Sequence, residues 1–369
     1  MNKRAARVGW FLVLFAVLAG IAWLSPLPAR TTDRGVYEAT AQYRIVPDCS
    51  ELHCFRVLVP WVLGSLPGPS LVKWKLYAAA GNAAAAVAVF ELALLFGLSQ
   101  RGAGLAMFLS AFGFGSLYTL FDSYTADPLM YWLAPLIMSE LLRGRLAVAG
   151  VISTVGVLGK EFAAAPLGIF TAYAATRGQW LVAARALAWA NFAFLVWLAW
   201  QLTLIIKFNY GYGENPSTDL MGGGYLKFWL SHETTRGAAV AIFNEFGPLY
   251  LLAAAGLLIA PSSLRRLALL SLPVAFAFVY VQQPDRALWN FHFLVVPLSA
   301  LVLERVSAAL AWSCAGLFAF ANLRIGAQLE SIPASRYALL ASIVVAIVAI
   351  VVAWRKPAPP SDLAHAAAA

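Results

Sequence analysis

The chain has 369 residues, of which 62% are hydrophobic and only 12% charged, with a net charge of +9 and a mean hydropathy of +0.76. A soluble domain is about half apolar and a quarter charged, so this composition excludes a soluble globular protein. The apolar excess runs the whole length, and the expectation is an all-α polytopic membrane protein with one continuous membrane domain over 1–355.

In chain order, the first apolar run is Val8–Leu24. Lys3, Arg4 and Arg7 precede it as they would in a signal peptide, but "SPLPAR" is a poor small-residue cleavage site, so the run reads as a retained first span. With about 20 apolar residues needed to cross, the full set of segments is 8–25, 72–98, 104–121, 127–142, 146–159, 162–176, 180–206, 246–260, 267–281, 291–304, 307–321 and 336–354. That is about twelve helices, within a range of roughly ten to thirteen because several are short. Basic residues in short loops mark the cytoplasmic side. With the N-terminus inside, the inner loops carry Arg101, Arg143/Arg145, Arg177, Arg265/Arg266, Arg305 and Arg355/Lys356. Both termini are then cytoplasmic, and the Pro/Ala-rich tail 356–369 is expected to be disordered. Two long outer loops remain, 26–71 and 207–245, and the working face is expected there.

The net charge is therefore largely topogenic and does not indicate a nucleic-acid partner. The first outer loop is different. Arg30, Arg34, Arg44 and Arg56, with Lys73 and Lys75 at its far end, oppose the orientation rule. A phosphate-bearing ligand would account for them, as would arginines snorkelling to headgroups. In "DRGVYEATAQY", Asp33 and Tyr37 share a helical face. Asp33 could act as a general base or cap the helix. "FRVLVPWVLG" is apolar, punctuated by proline and too short to span. It reads as an interfacial helix opening with Arg56, with Trp61 and Trp74 at headgroup depth. Asp122 and Asp127 stand between two spans in "LFDSYTADPLMYW"; Asp127 before Pro128 is also a good helix start. Lys160 and Glu161 interrupt about thirty apolar residues in "GVLGKEFAAAPLG". Ionisable residues at membrane depth are costly and suggest function, so Lys160 is a candidate phosphate ligand, with Glu161 orienting it or a loop arginine. In "QQPDRALWNFHF", Arg286 is another candidate phosphate ligand, and His292 reads as a site residue or a structural hydrogen bonder. Cys49 and Cys54 are expected to form a disulfide in an oxidising compartment. A metal site using Cys49, His53 and Cys54 lacks a fourth ligand at any familiar zinc spacing, so no metal is assigned. Cys314 reads as core. No P-loop, dinucleotide fingerprint or nucleophile elbow occurs.

The order of these motifs carries a resemblance. An acid followed four residues later by Tyr37 stands after the first span. Then come "FRVLVPWVLG", "TADPL", the embedded "GKE" and a late outer Arg followed by "FHFLVVPLSALVL". Over about 8–305 this pattern resembles membrane glycosyltransferases of the GT-C superfamily, in particular bacterial polyprenyl-phosphate-dependent mannosyltransferase-like and arabinosyltransferase-like proteins. The resemblance implies a multi-span inverting enzyme of the bacterial inner membrane. Its partners would be a lipid-linked sugar donor, a glycan, lipid or protein acceptor, and membrane lipids. It places the catalytic acid at Asp33, with Asp127, Lys160 and Glu161 at later polar positions. Members often carry an acid-x-acid pair in the first loop, but here Gly35 stands two beyond Asp33. This leaves room for a divalent cation without requiring one, and leaves Glu38, Asp48 and Glu51 as rivals to Asp33. A transporter or flippase for an anionic lipid or solute is the alternative; it would use Lys160/Glu161, Asp122 and Asp127 as a binding site. A non-catalytic scaffold would leave the embedded Lys-Glu pair unexplained.

Overall fold

The computed structural model describes residues 3–29, 32–213, 224–281, 287–330 and 335–355. Among the described residues all regular structure is helical. In chain order the α-helices are α1 Lys3–Leu24, α2 Thr32–Tyr43, α3 Leu58–Gly64, α4 Ser70–Leu95, α5 Gln100–Ala111, α6 Phe114–Phe121, α7 Asp127–Leu142, α8 Leu146–Gly156, α9 Ala165–Ala175, α10 Trp180–Phe208, α11 Gly224–His232, α12 Thr235–Phe246, α13 Leu249–Ile259, α14 Ser262–Val281, α15 His292–Glu304, α16 Ala308–Ile325 and α17 Ser335–Trp354. Short 3-10 turns cover Leu52–Phe55, Glu161–Ala164 and Leu288–Phe291.

Each of the twelve expected segments coincides with a helix or a helix pair. Among the described residues, seven helical segments, with α5 and α6 taken as one, are long and apolar enough to cross a membrane, or eight if α12 and α13, bent by 57°, form one span. The difference from twelve has a physical reason. Helices α7, α8, α9 and α13 hold only 16, 11, 11 and 11 residues. They are buried against neighbours, and a helix shielded by protein need not cover the full hydrocarbon thickness by itself.

The arginine-bearing helix ends gather at one end of the bundle. Arg7 pairs with Glu91 at 2.6 Å, and Arg143 reaches Glu91 at 3.4 Å and Glu140 at 2.8 Å. Arg145 reaches the second Glu140 oxygen at 3.2 Å. Beside them, Glu304 accepts from Ser99 N at 2.9 Å, and the Arg101 guanidinium donates to the carbonyls of Glu304 and Val306. These contacts tie Arg7, Arg101, Arg143 and Arg145 to acids and carbonyls at the ends of their helices.

The opposite end is uneven, and this shapes the site. At 1.5 Å per residue, α4 with 26 residues and α10 with 29 are roughly 39 and 43 Å long, whereas α7 and α8 are roughly 24 and 16 Å. Tyr77, seven residues inside the start of α4, is level with the start of α7: its hydroxyl donates to Ala126 O at 3.3 Å and accepts from Leu129 N at 3.1 Å. The start of α7 therefore lies about 10 Å below the tip of α4, and the residues before α7 rise beside that tip, with Tyr124 OH 3.4 Å from Ser70 Oγ. The first loop folds over this end of the bundle as α2, the 3-10 turn and α3. Gly64 lets α3 lie against α2, since a Cβ there would overlap Ala41 O. The interfacial helix is shorter than the sequence suggested. Val59, Pro60 and Leu63 face inward, while Val62 and Leu66 are exposed. Trp74, expected at headgroup depth, is instead buried against Tyr37, Tyr77 and Tyr124.

Candidate active site

Helix α2 opens with Asp33 in its first turn, where a carboxylate is favoured by the helix dipole. Its Oδ2 lies 3.6 Å from His53 Nε2, and both side chains are about a quarter exposed. One turn further on, Tyr37 is buried and packs edge-on against the same imidazole, with ring centroids 5.6 Å apart. His53 is held there by the 3-10 turn, which Cys49 and Cys54 close as a disulfide.

Beyond Tyr37 the chain continues through Arg56. Leu58 N donates to Leu158 O at 3.2 Å, fixing the start of α3 to the α8–α9 junction. Gly159 permits that junction to approach α7, because a Cβ would stand 2.6 Å from Leu129 Cδ2. The Arg56 guanidinium donates from Nη2 to Glu161 Oε1 at 2.9 Å. Burial depresses the basicity of Arg56, but Glu161, Tyr37 and Asp127 outweigh it and the group stays firmly protonated. Burial likewise pushes the Glu161 carboxyl up, while Arg56 and Lys160 hold it below its ordinary range. The Arg56 Nε–H is buried and has no hydrogen-bond acceptor among the described residues. Such a donor is costly to leave unmet. Below it, Lys160 Nζ donates to Asp127 Oδ1, with both groups almost completely buried. Arg56 lies within electrostatic reach of Asp127 and of Tyr37, the ring that packs on His53 beside Asp33.

The other basic residues of the loop are committed elsewhere. Arg34 pairs with Glu38 at 3.1 Å and lies over the Tyr124 ring. Arg44 donates to Trp61 O and to Ser65 Oγ. Lys73 donates to Leu66 O, and Lys75 caps α1 through the carbonyls of Ala22 and Ser25. Among Asp33's rivals, Glu38 accepts from Tyr124 OH at 2.7 Å and from Arg34. Burial raises its pKa, but Tyr124, Ser70 and Arg34 together hold it below the ordinary value, which makes it a poor base. Asp48 accepts from Asn209 Nδ2 at 2.7 Å, tying the loop to the end of α10.

Asp122 closes α6, its backbone N donating to Tyr118 O. His292 is wholly buried, bonded through Nδ1 to Trp289 O at 3.0 Å and packed against Trp289 and Tyr131. That is the structural alternative of its two readings. Arg286, Arg30 and Asp219 lie outside the described residues. Sequence reasoning did not find His53 as the neighbour of Asp33, nor Tyr212, which stacks on Phe55 at 4.7 Å beside Glu161. Only the position of His53 next to Cys54 hinted at its role. Among the described residues no three His, Cys, Asp or Glu side chains converge as a metal site. A divalent cation favours several carboxylate oxygens, and among the described residues the Asp33 carboxylate lies beside the His53 imidazole.

No family model and no curated protein matches the chain. Among solved structures it is similar to the Archaeoglobus fulgidus oligosaccharyltransferase, a structure tethered through a disulfide to an acceptor peptide containing the NVT sequon. The identity is 16% and the TM-score 0.47, over 95% of this chain and 56% of that one. The chain thus spans about half the length of that protein, and a likeness of this size assigns no residue.

Proposed function

We propose that the protein is an integral-membrane, inverting glycosyltransferase of the GT-C type that takes a sugar from a polyprenyl-phosphate donor at the extracytoplasmic face. The observation that carries this reading is the unmet, buried Arg56 Nε–H in the loop that also carries Asp33. Arginine binds phosphate through two N–H groups at once, and Arg56 keeps Nε available while Nη2 is held by Glu161.

In this account Asp33 accepts the proton of the acceptor hydroxyl as its oxygen attacks the anomeric carbon. The bond from that carbon to the phosphate oxygen breaks, and the electron pair leaves with the polyprenyl phosphate. Arg56 and Lys160 stabilise the charge that develops there, in a desolvated place where such stabilisation is strong. His53 orients Asp33. Attack opposite the leaving group inverts the centre. No step uses a metal. Clustering of the ionisable groups at one end of the bundle supports an enzyme over the transporter reading, which places its site near the midplane. Orientation with both termini in the cytoplasm of a bacterial inner membrane is part of the same proposal.

The test is to incubate purified protein with a panel of polyprenyl-phosphate sugars and follow donor loss. Consumption of one donor with release of polyprenyl phosphate is expected. Stable donor throughout, alongside movement of labelled lipid across a vesicle, would favour the flippase.

A further inference from the structure

We propose that a groove between α1, α4 and α7 binds an acidic phospholipid, with its headgroup at the arginine-bearing end of the bundle, the end opposite the candidate active site. The proposal is independent of the glycosyltransferase reading. The groove has a volume of about 650 Å³. Its floor is a run of small residues on α4, Ala80, Gly81, Ala84 and Ala88, and its walls are Phe11 of α1 with Trp132 and Leu136 of α7. It runs from Tyr77 to Glu91, fourteen residues of α4 or roughly 21 Å. One leaflet of a bilayer is about 15 Å of hydrocarbon, so the groove accommodates a full acyl chain laid along the helix.

Two further features select the headgroup. The first is charge. Arg7, Arg143 and Arg145 face Glu91 and Glu140. Of this network Arg7, Arg143 and Glu91 line the groove, two cations against one anion, which leaves one positive charge in excess at its mouth. Arg7 and Arg143 keep 43% and 27% of their side-chain surface open, so each has guanidinium edges to offer a phosphate. The second is Ser139. It lines the groove one helical turn before Arg143, is only 2% exposed, and its Oγ has no hydrogen-bond partner among the described residues. A hydroxyl buried in an apolar wall without an acceptor is disfavoured. A glycerol ester or phosphate oxygen below the headgroup would meet it. An arginine pair with a serine one turn deeper matches an anionic headgroup joined to an ester-linked chain. A neutral lipid would leave the excess charge unanswered.

The experiment uses the full chain, purified and delipidated in a neutral detergent. Thermal unfolding midpoints are measured with phosphatidylglycerol, with phosphatidylcholine of the same chains, and with soluble glycerol 3-phosphate. Native mass spectrometry counts retained lipid. Phosphatidylglycerol should raise the midpoint by several degrees, as a ligand of the folded state does, with one copy retained, and the other two compounds should do markedly less. Arg7→Gln removes the excess charge at an exposed position and should weaken phosphatidylglycerol binding about fivefold. Ala84→Phe fills the groove and should abolish the shift. Ala80→Leu serves the same purpose where Ala84→Phe does not accumulate. Equal shifts with phosphatidylcholine would overturn the proposal. So would an equal shift with glycerol 3-phosphate, or a phosphatidylglycerol preference unchanged in both the Arg7 and the groove variants.

Discussion

Arg56 bonds Glu161 on one side and feels Tyr37 and Asp127 on the others. Arg56→Lys keeps the charge but loses the fork, and a hydrogen bond to a charged group contributes about 1.5–3 kcal/mol. The expected outcome is a kcat/KM for donor lowered roughly tenfold to a hundredfold, read from steady-state kinetics. An unchanged kcat/KM would place Arg56 outside the donor site. Lys160 needs a paired design. Lys160→Ala alone strands the Asp127 carboxylate, and breaking a buried pair costs about 3–5 kcal/mol. Its thermal midpoint should fall sharply, whereas the neutral pair Asp127→Asn/Lys160→Gln should fold and bind donor weakly. His53→Ala should lower turnover by roughly tenfold to a hundredfold through loss of orientation of Asp33, without weakening donor binding. At this scale the sequence was partly legible. Lys160, Glu161 and Asp127 stood out because charge inside an apolar run has few structural explanations. That Lys160 pairs with Asp127 could not be read, because the pairing crosses more than thirty residues of chain; a loop arginine was one of two partners expected for Glu161, and the structure makes it Arg56.

At the scale of elements, the first loop behaves as a cover pinned at several points. Glu38 holds α2 to Tyr124, Arg44 exchanges hydrogen bonds with Trp61, and Asp48 takes one from Asn209. The Glu38 pin depends on pH. Its carboxyl titrates below the ordinary value of 4.5 in the folded protein, so its contribution is complete above that value and is lost as pH falls through the lower, folded one. Protection factors of the α2 amides, corrected for the intrinsic pH dependence of exchange, should therefore fall as pH drops from 7 through the folded Glu38 value. Glu38→Gln should show low protection factors throughout. Protection factors of the native protein that do not change with pH would contradict the pin. The elements themselves were legible from apolar runs and proline punctuation. Trp74 was misread because a tryptophan near a span end usually marks the interface. Here Tyr37 covers it.

At the scale of the molecule, the side assigned to each loop rests on arginine alone, and the ion pairs around Glu91, Glu140 and Glu304 bring those arginines together in space. Reporter fusions after Arg101, Arg143 and Arg265 should all report one side, and a fusion next to Asp33 the other. What composition could not convey is unequal helix length. That α7 and α8 stop short of α4 and α10 is a property of packing between helices rather than of any one of them. The account as a whole rests on Asp33 as the base, and Asp33→Asn tests it most directly. Asparagine caps a helix about as well as aspartate but does not accept the acceptor's proton at neutral pH. Donor binding and turnover of the folded variant are measured side by side with the native protein. The account predicts unchanged donor binding and turnover lower by roughly 10²–10⁴-fold; a folded Asp33→Asn protein with near-native turnover would contradict it.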